Sequence, residues 1–368
     1  MNHLPEVLKI LEGALKSNAQ MAVNYANLLA EKLESEGGGQ FAKLIREKIS
    51  RAPRQLFSTA GTVNPLPVDS ESRFNLADET RPILEQVDVV LDATTTARID
   101  EFVSCIKRAD ELITAGVGIS PSLLLYGPPG CGKTILAKHV AARLELPLLT
   151  ARCDTLVSSF LGATSKNIRA LFDHTASRPC VLFLDEFDSL AKARDDKQEL
   201  GELKRVVVSL LQNIDALSSN TVLIAATNHP QLLDPAAWRR FAYRIEIPVP
   251  DSNQRRLLLQ SRLGRLAPVK ALDSLVELSE GLPGAIIEQA AYDAVRATVL
   301  SDRKEISAAD ISRRLIRAQD GERPMSVEDE MRLLRERAPH FFDYRTLNEL
   351  FGVSLRRIGQ LFKDQKEV

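Results

Sequence analysis

One stretch of the sequence decides the fold, and it reads Leu123-Leu124-Leu125-Tyr126-Gly127-Pro128-Pro129-Gly130-Cys131-Gly132-Lys133-Thr134. Residues 127–134 match the pattern G-x-x-x-x-G-K-[ST] of a phosphate-binding loop, and they lie between an apolar strand and a predicted helix. Glycines let backbone N–H groups surround phosphate oxygens, and the helix presents its positive end to them. We expect Lys133 to neutralise the β- and γ-phosphates of a nucleotide and the Thr134 hydroxyl to ligate Mg²⁺. A chance glycine turn would not bring these parts together in this order.

A second predicted part of the site is an apolar strand that ends in two carboxylates. Residues 181–186 read Val-Leu-Phe-Leu-Asp-Glu. Asp185 suits the coordination of Mg²⁺, and Glu186 is placed to orient and deprotonate the water that attacks the γ-phosphate. The alternative is an acidic helix cap, because Asp and Glu favour helix starts. Beside the phosphate-binding loop, the catalytic interpretation is the better one.

Two further groups extend the predicted site. Asn228 ends the strand Ile224-Ala-Ala-Thr-Asn, where its amide can hydrogen-bond the catalytic water or the γ-phosphate. Alone, an Asn at a strand end is usually a turn former. Arg239 and Arg240 are adjacent, and one or both can act as an arginine finger on a neighbouring subunit's ATP, an effect of about 10³–10⁵ in rate. The alternative for the arginines is a surface salt-bridge pair.

The chain around these motifs is of the α/β class. Short apolar runs alternate with longer amphipathic segments, which indicates a parallel sheet covered on both faces. The predicted strands are Ser122–Tyr126, Leu146–Thr150, Cys180–Leu184, Thr221–Ala226 and Tyr243–Ile247. We divide the chain into an N-terminal helical bundle (1–52), a linker (53–85), a phosphate-loop α/β subdomain (86–250), a helical subdomain (251–320) and a C-terminal helical tail (321–368). The N-terminal helices form either a small bundle with its own core or a docking module.

Composition excludes several classes of protein. The formal net charge of -1 gives no global attraction to nucleic acid or acidic membranes. The four cysteines lie far apart, with no C-x-x-C pair, which argues against zinc and against a disulfide scaffold. No apolar run approaches the roughly 18 residues of a membrane span. We therefore expect a cytoplasmic protein without a membrane association.

With these elements in order, residues 86–318 resemble the AAA clade of the AAA+ ATPases. Phe160, Leu161 and Gly162 look like the first pore loop of that clade, an aromatic-aliphatic-glycine step that grips a polypeptide in the central channel of a ring. Residues 281–286 resemble the stretch at which the helical lid subdomain touches nucleotide. The resemblance implies an AAA+ module, ATP and Mg²⁺ as ligands, a protein substrate, and a homo-oligomer, specifically a hexamer, with each ATP site shared between neighbours.

The sequence departs from the pattern of that clade at three places. Ala163 stands where the clade has a glutamate after the pore-loop glycine, and Pro283 and Ile286 replace the Ser and Asp of the lid. The usual Arg-x-x-Gly-Arg-Phe-Asp stretch is shortened to Arg239-Arg240-Phe241. We favour Arg239 as the finger, with Arg240 assisting.

A narrower resemblance concerns residues 227–230 and 238–241, Thr-Asn-His-Pro and Trp-Arg-Arg-Phe. With the short helical front end, they resemble bacterial stand-alone AAA ATPases encoded beside a subtilisin-like serine protease, in plasmid-maintenance or antiviral (phage) defence pairs. That resemblance implies a subtilisin-like protease as a partner.

The C-terminal tail has the spacing of a helix-turn-helix. Leu347 and Phe351 would pack against Val353, Ile358 and Leu361, with Gly352 at the turn. The second helix would expose three side chains that can contact phosphates and bases, Arg356, Arg357 and Gln360. Asn348 occupies a position where such motifs usually have a small apolar residue. A helical hairpin for packing or partner docking is the favoured interpretation, and DNA binding is the alternative.

Three functions from different classes follow. The first is an ATPase that remodels, unfolds or activates a protein partner, which Phe160 favours. The second is an ATPase that acts on, or is recruited to, DNA, which only the tail favours. The third is a non-hydrolysing nucleotide-binding scaffold, which the presence of Lys133, Asp185, Glu186 and Asn228 argues against.

Overall fold

The structure is a computed structural model, and it describes most of the chain from residue 66 onward. The described residues are 66–68, 75–156, 161–191, 202–217, 221–303, 305–321 and 323–363, together with 26, 29–30, 32–34 and 41–43, which are helical. Most of the predicted N-terminal helical bundle and Phe160 of the predicted pore loop lie outside these residues. Over the described residues, no helix is both long enough and apolar enough to span a membrane.

Six strands form one sheet in the order β1-β3-β4-β5-β2-β6. The strands are β1 (Asp78–Thr80), β2 (Ser122–Tyr126), β3 (Leu148–Arg152), β4 (Cys180–Asp185), β5 (Thr221–Thr227) and β6 (Tyr243–Glu246). β3, β4 and β5 are parallel, with Leu148 opposite Val181 and Val181 opposite Val222. Every residue of β5 is buried, as expected for a strand covered on both faces. The predicted α/β class is confirmed.

Two strands differ from the prediction by more than one residue at an end. β1 lies inside the segment predicted as a linker and pairs antiparallel with β3, so Glu79 is opposite Leu149. Its sequence, Asp-Glu-Thr, has no apolar run, and an edge strand gains its hydrogen bonds from its neighbour. β3 begins at Leu148, two residues later than predicted, because the Leu146 N–H still bonds the Ala141 carbonyl at the end of the preceding helix.

Eight helices lie between residues 93 and 238 of the described chain, interspersed with the strands. They are α1 (Ala93–Lys107), α2 (Ala109–Thr114), α3 (Lys133–Leu144), α4 (Cys153–Leu156), α5 (Leu161–Ala176), α6 (Asp188–Ala191), α7 (Glu202–Asp215) and α8 (Pro235–Trp238). Short 3-10 turns occupy Leu84–Gln86 and Pro230–Leu232. The sheet and these helices share a core in which Leu182, Leu184 and Leu223 are completely buried.

Only helices and 3-10 turns follow β6 in the described chain, as predicted for residues 251–318. The helices are α9 (Ser252–Leu263), α10 (Leu272–Leu278), α11 (Gly284–Leu300), α12 (Ala308–Gln319), α13 (Val327–Arg337), α14 (Tyr344–Phe351) and α15 (Leu355–Lys363). The 3-10 turns are Gly264–Leu266 and Val269–Ala271. α9 to α12 bury Leu259, Leu275, Ile287 and Leu315, and a second core joins α12 to the tail.

The chain divides into two compact units. One comprises Met1–Asp88, Arg98–Leu125 and Thr134–Ile245, and the other comprises Val89–Ala97, Tyr126–Lys133 and Glu246–Val368. The phosphate-binding loop up to Lys133 therefore groups with the helical lid, whereas Thr134 groups with the sheet. The predicted domain boundaries remain predictions.

The predicted pore loop differs from expectation at its second half. The sequence predicts that the helix after this loop starts near Thr164, but α5 begins at Leu161. Leu161 and Gly162 therefore belong to the first helical turn and not to a free loop.

Candidate active site

The phosphate-binding loop leaves the sheet directly after β2, at Gly127. This residue has φ of 141°, and a Cβ there would lie 2.2 Å from the carbonyl oxygen of Ile247. The close approach arises because the Ile247 N–H donates to the Tyr126 carbonyl at 2.7 Å, which joins β2 to the end of β6. Only glycine has the freedom and the space that this turn requires.

Lys133 lies at the end of the loop, and its side chain turns back onto the loop. The residue is 7% exposed, and its ammonium group donates to the carbonyl oxygens of Gly127 at 2.8 Å and Pro128 at 2.7 Å. The positive charge is thus held beside the backbone curl that the sequence predicts as the phosphate site. Gly127, Pro128, Pro129, Gly130, Cys131 and Gly132 form that curl.

Thr134 and Asp185 are brought together although 51 positions separate them in the chain. The Thr134 hydroxyl donates to Asp185 Oδ2 at 3.0 Å. Both groups offer oxygen atoms, the ligand type that Mg²⁺ prefers. Thr134 is the last residue of the phosphate-binding motif, and Asp185 is the last residue of β4. These residues fit a site for Mg²⁺, which, when bound, would supply positive charge that neutralises the phosphates during phosphoryl transfer.

Glu186 has an unusual backbone conformation. It is one of only three described non-glycine residues with positive φ, at 54°, and its N–H donates to Asp185 Oδ1 at 3.0 Å. The next residue, Phe187, is buried, and its N–H donates to the Ala226 carbonyl at 2.8 Å. These bonds hold the turn after β4 against β5, so the carboxylate of Glu186 is half-buried at the edge where both strands end.

Asn228 follows β5 in a segment held by two residues that the sequence did not single out. The buried Thr227 hydroxyl donates to Asp188 Oδ1 at 2.6 Å and accepts the His229 N–H at 3.0 Å. The Asn228 side chain is half-buried and has no hydrogen-bond partner among the described residues. The sequence signals this interaction only by Thr227 directly before Asn228 and by Asp188 two positions after Glu186.

The two candidate arginines have different environments. Arg240 donates bidentately to Asp215 at 3.0 and 2.9 Å, and also to the Ala236 carbonyl at 2.8 Å. Arg239 ends α8, is exposed, and has no side-chain partner in the described part of the chain. The alternative of a surface salt bridge therefore applies to Arg240 and not to Arg239. Arg240 is bound to its own chain, and its assisting role in trans remains a prediction.

The lid stretch contacts the phosphate-binding loop. The N–H of Ala285, in the first turn of α11, donates to the Gly130 carbonyl at 2.9 Å. Burial raises the pKa of the Cys131 thiol, although the charge of Lys133 and a hydrogen bond from the Gly284 N–H oppose this effect. Pro283 and Ile286, which replace the Ser and Asp of the clade, thus lie on either side of the Ala285–Gly130 hydrogen bond. This bond joins two backbone groups and does not involve the side chains of Pro283 and Ile286.

Comparison with known proteins places this site in a family. The sequence profile described as "ATPase family associated with various cellular activities (AAA)" matches residues 123–249. An AAA family ATPase from Sinorhizobium fredii, described as uncharacterized, is 34% identical over 298 residues, which cover 79% of this chain and 88% of that protein. The chain belongs to the AAA family of ATPases. It hydrolyses ATP, with Mg²⁺ as the cofactor.

Two other relatives of this AAA ATPase are larger than the region that matches. The ATP-dependent zinc metalloprotease FtsH of Acidothermus cellulolyticus is 30% identical over 261 residues, 68% of this chain and 39% of that protein. A 26S proteasome regulatory subunit homolog of Methanocaldococcus jannaschii is 34% identical over 196 residues, 52% of this chain and 53% of that protein. The chain thus spans about half, or less, of these two relatives.

Proposed function

We propose that this AAA ATPase is a homo-oligomer, specifically a hexameric ring, that uses ATP hydrolysis to remodel or unfold a protein partner. The observation that carries the proposal is the contrast between Arg239 and Arg240. Arg240 is committed to Asp215 of its own chain, whereas Arg239 is exposed beside it without a partner among the described residues. An arginine that a subunit leaves free near the end of its sheet suits an ATP site on a neighbour.

Within one subunit, we assign the roles as follows. Lys133 and the loop backbone bind the phosphates, and Thr134 and Asp185 hold Mg²⁺. Glu186 orients the attacking water and accepts its proton, while Asn228 hydrogen-bonds the water or the γ-phosphate. The reaction adds water to the γ-phosphorus and breaks its bond to the bridging oxygen, which leaves with ADP. While the phosphoryl group is transferred, Arg239 of a neighbouring subunit stabilises the negative charge that develops.

The protein-directed part of the proposal rests on the relatives and on residues 160–162. Two relatives carry names that refer to proteolysis, a metalloprotease and a proteasome regulatory subunit homolog. Phe160 precedes α5, and a phenylalanine repeated around a ring would grip polypeptide side chains by apolar contact with little sequence preference.

The finer form of the proposal is that this ATPase works as a pair with a subtilisin-like serine protease in phage defence or plasmid maintenance. Co-expression with the protease encoded by a neighbouring gene would test it, with ATP-dependent cleavage as the expected result.

A complementation experiment tests the shared ATP site. Arg239→Ala and Glu186→Gln proteins each keep one half of that site intact, so each alone is expected to bind ATP and hydrolyse it poorly. When the two are mixed, an intact Glu186 meets an intact Arg239 across an interface, and part of the ATPase activity returns. Arg240→Ala is the matched control: it is expected to lower stability by roughly 0.5–1 kcal/mol, since its ion pair is partly exposed, and to keep most of the activity. A mixture that stays inactive would contradict a finger in trans.

A second experiment addresses the protein partner. Phe160→Ala is expected to keep oligomerisation and basal hydrolysis but to lose ATP-dependent unfolding of a tagged fluorescent substrate, and Phe160→Tyr is expected to keep it. Thermal melting separates this role from a core role, because loss of a buried phenylalanine costs about 3–5 kcal/mol. A large drop in melting temperature for Phe160→Ala would assign the residue to the core.

A further inference from the structure

The last two helices, α14 and α15, form a hairpin around a three-residue turn. Gly352 ends α14 with φ of 67°, and its N–H donates to the Asn348 carbonyl at 2.8 Å. Leu347, Ile358 and Leu361 are buried between the helices and α13. The burial pattern is therefore the one that the helix-turn-helix spacing predicts.

Asn348, the residue that departs from the usual motif, stabilises the turn. Its side-chain Nδ2 donates to the carbonyl oxygen of Val353 at 2.9 Å. A small apolar residue at this position would leave that carbonyl without this donor. The polar side chain thus fixes the direction in which α15 leaves the turn and does not argue against the motif.

The inner face of α15 is held by aromatic and cationic contacts. Arg335 of α13 stacks on the rings of Tyr344, at 4.6 Å, and Phe362, at 5.3 Å, and donates to the Phe342 carbonyl at 2.9 Å. The two rings stack on each other with centroids 5.8 Å apart. These contacts connect α13, α14 and α15 and fix the inner face of α15 against the other two helices.

The outer face of α15 is polar and basic. Arg356, Gln360 and Lys363 lie at i, i+4 and i+7, which places them in one row, and all three are exposed. None of them has a hydrogen-bond or ion-pair partner among the described residues, whereas Arg357 is paired with Glu328 at 2.8 Å. α15 contains no acidic residue. The row therefore combines two positive charges with an amide that can both donate and accept.

We infer that this outer face of α15, defined by Arg356, Gln360 and Lys363, binds double-stranded DNA. The inference is independent of the proposed protein-remodelling function. An α-helix fits the major groove, where Arg and Gln side chains match the edges of guanine and adenine, and Lys contacts phosphate. Charge complementarity favours DNA over a peptide, because the face offers a single exposed apolar side chain, Leu355, beside its charged row.

Fluorescence anisotropy of the full-length protein with a labelled duplex of about 30 base pairs and mixed sequence tests the inference. We expect saturable binding at low salt that weakens as salt increases. Arg356→Ala is expected to weaken binding roughly tenfold, and Lys363→Ala to reduce the salt slope by about 1. Arg296→Ala removes an exposed arginine from α11 and serves as the matched control with unchanged affinity. Since these side chains are exposed, thermal melting of each variant is expected to match the wild type.

Either of two results would overturn the inference. In the first, the wild-type protein does not bind duplex at 50 mM salt; in the second, Arg356→Ala binds with the same affinity as the Arg296→Ala control. Binding to vesicles of anionic lipid without binding to duplex would assign the face to a membrane instead. If Arg356→Ala does not fold, Lys363→Glu replaces it, and loss of binding by a folded Lys363→Glu protein supports the inference. Glu186→Gln protein is expected to bind duplex normally, which separates this test from the ATPase proposal.

Discussion

Glu186 shows how the active site constrains a single residue. Its positive φ costs a non-glycine residue roughly 1–2 kcal/mol, and such strain persists where the surroundings over-determine it. The surroundings are visible here: the Glu186 N–H is bound to Asp185, and the Phe187 N–H is bound to β5. The strained turn places Glu186 directly after the end of β4, with its side chain half-buried.

Three substitutions test this residue and its partner in phosphate binding. Glu186→Gln is expected to bind ATP and lose turnover, because an amide does not accept the proton of water. Lys133→Ala is expected to lose ATP binding itself. Glu186→Gly is expected to lose turnover yet unfold at an equal or higher denaturant concentration, since glycine adopts positive φ without strain. ATP-binding, hydrolysis and denaturant titrations provide the measurements, and near-normal hydrolysis by Glu186→Gln would show that another group is the base.

Cys131 provides a pH-dependent test of the loop. Burial raises the pKa of its thiol, so the reactive thiolate forms only at higher pH than in an unfolded chain. We expect iodoacetamide to modify Cys131 of the native protein slowly at pH 7 and faster as the pH is raised. The same thiol in urea-unfolded protein is the control and is expected to react at lower pH. Equal rates at pH 7 in the two states, measured by mass spectrometry of the peptide, would contradict the raised pKa.

At the scale of elements, the turn after β4 and the segment after α8 are joined by two aromatic rings. Phe187 and Phe241 pack edge to face, with centroids 5.4 Å apart and ring planes at 89°, and both are buried. The contact links the residue next to Glu186 with the residue next to Arg240. Phe241, in the shortened arginine stretch, is therefore a core residue that packs against the turn after β4.

Phe241→Ala is expected to lower the free energy of unfolding by about 3–5 kcal/mol, because it leaves a cavity beside Phe187. Tyr292→Ala, at an aromatic residue that is 47% exposed on α11, is the control and is expected to change stability by less than about 0.5 kcal/mol. Denaturant unfolding followed by circular dichroism measures both. If Phe241→Ala were as stable as the control, the contact between Phe187 and Phe241 would not contribute to the stability of the protein.

At the scale of the whole molecule, a set of polar and aromatic contacts holds the helices of the second compact unit together. In the second unit, Arg313 of α12 binds Glu330 of α13 at 2.8 and 3.1 Å and stacks on Phe351 of α14 at 4.6 Å. Glu330 is only 8% exposed, whereas the Arg313 side chain is 34% exposed, so removal of Arg313 would leave a buried carboxylate without its bidentate partner. The tail is thus attached to the lid by a specific contact in addition to apolar packing.

The proposed ring predicts a collective response to inactive subunits. When Glu186→Gln subunits are mixed with wild type, we expect ATPase activity to fall faster than the wild-type fraction, because each mutant also occupies a place beside an active site. At equal amounts, activity is expected well below half of the wild-type value. Heat-inactivated wild-type protein is the dilution control. A strictly linear decrease with the mutant fraction would argue against coupling between subunits.

The sequence by itself predicted the parts of the site that are local in the chain. The loop 127–134, the carboxylates Asp185 and Glu186, and Asn228 each follow an apolar strand, and strand, turn and helix signals act over a few residues. The parallel order of β3, β4 and β5 follows from the same alternation, because strands joined by helices run in one direction.

Only the tertiary structure decided the features that join distant residues. The pairing of β1 with β3 places a polar segment, predicted as a linker, at the edge of the sheet. The ion pair with Asp215 distinguishes the environment of Arg240 from that of Arg239. The hydrogen bond between Thr227 and Asp188 stabilises the segment that carries Asn228. Such contacts leave no periodic signal in the sequence, because the pairing of residues 25 to 72 positions apart depends on how the chain folds back and not on the neighbouring residues.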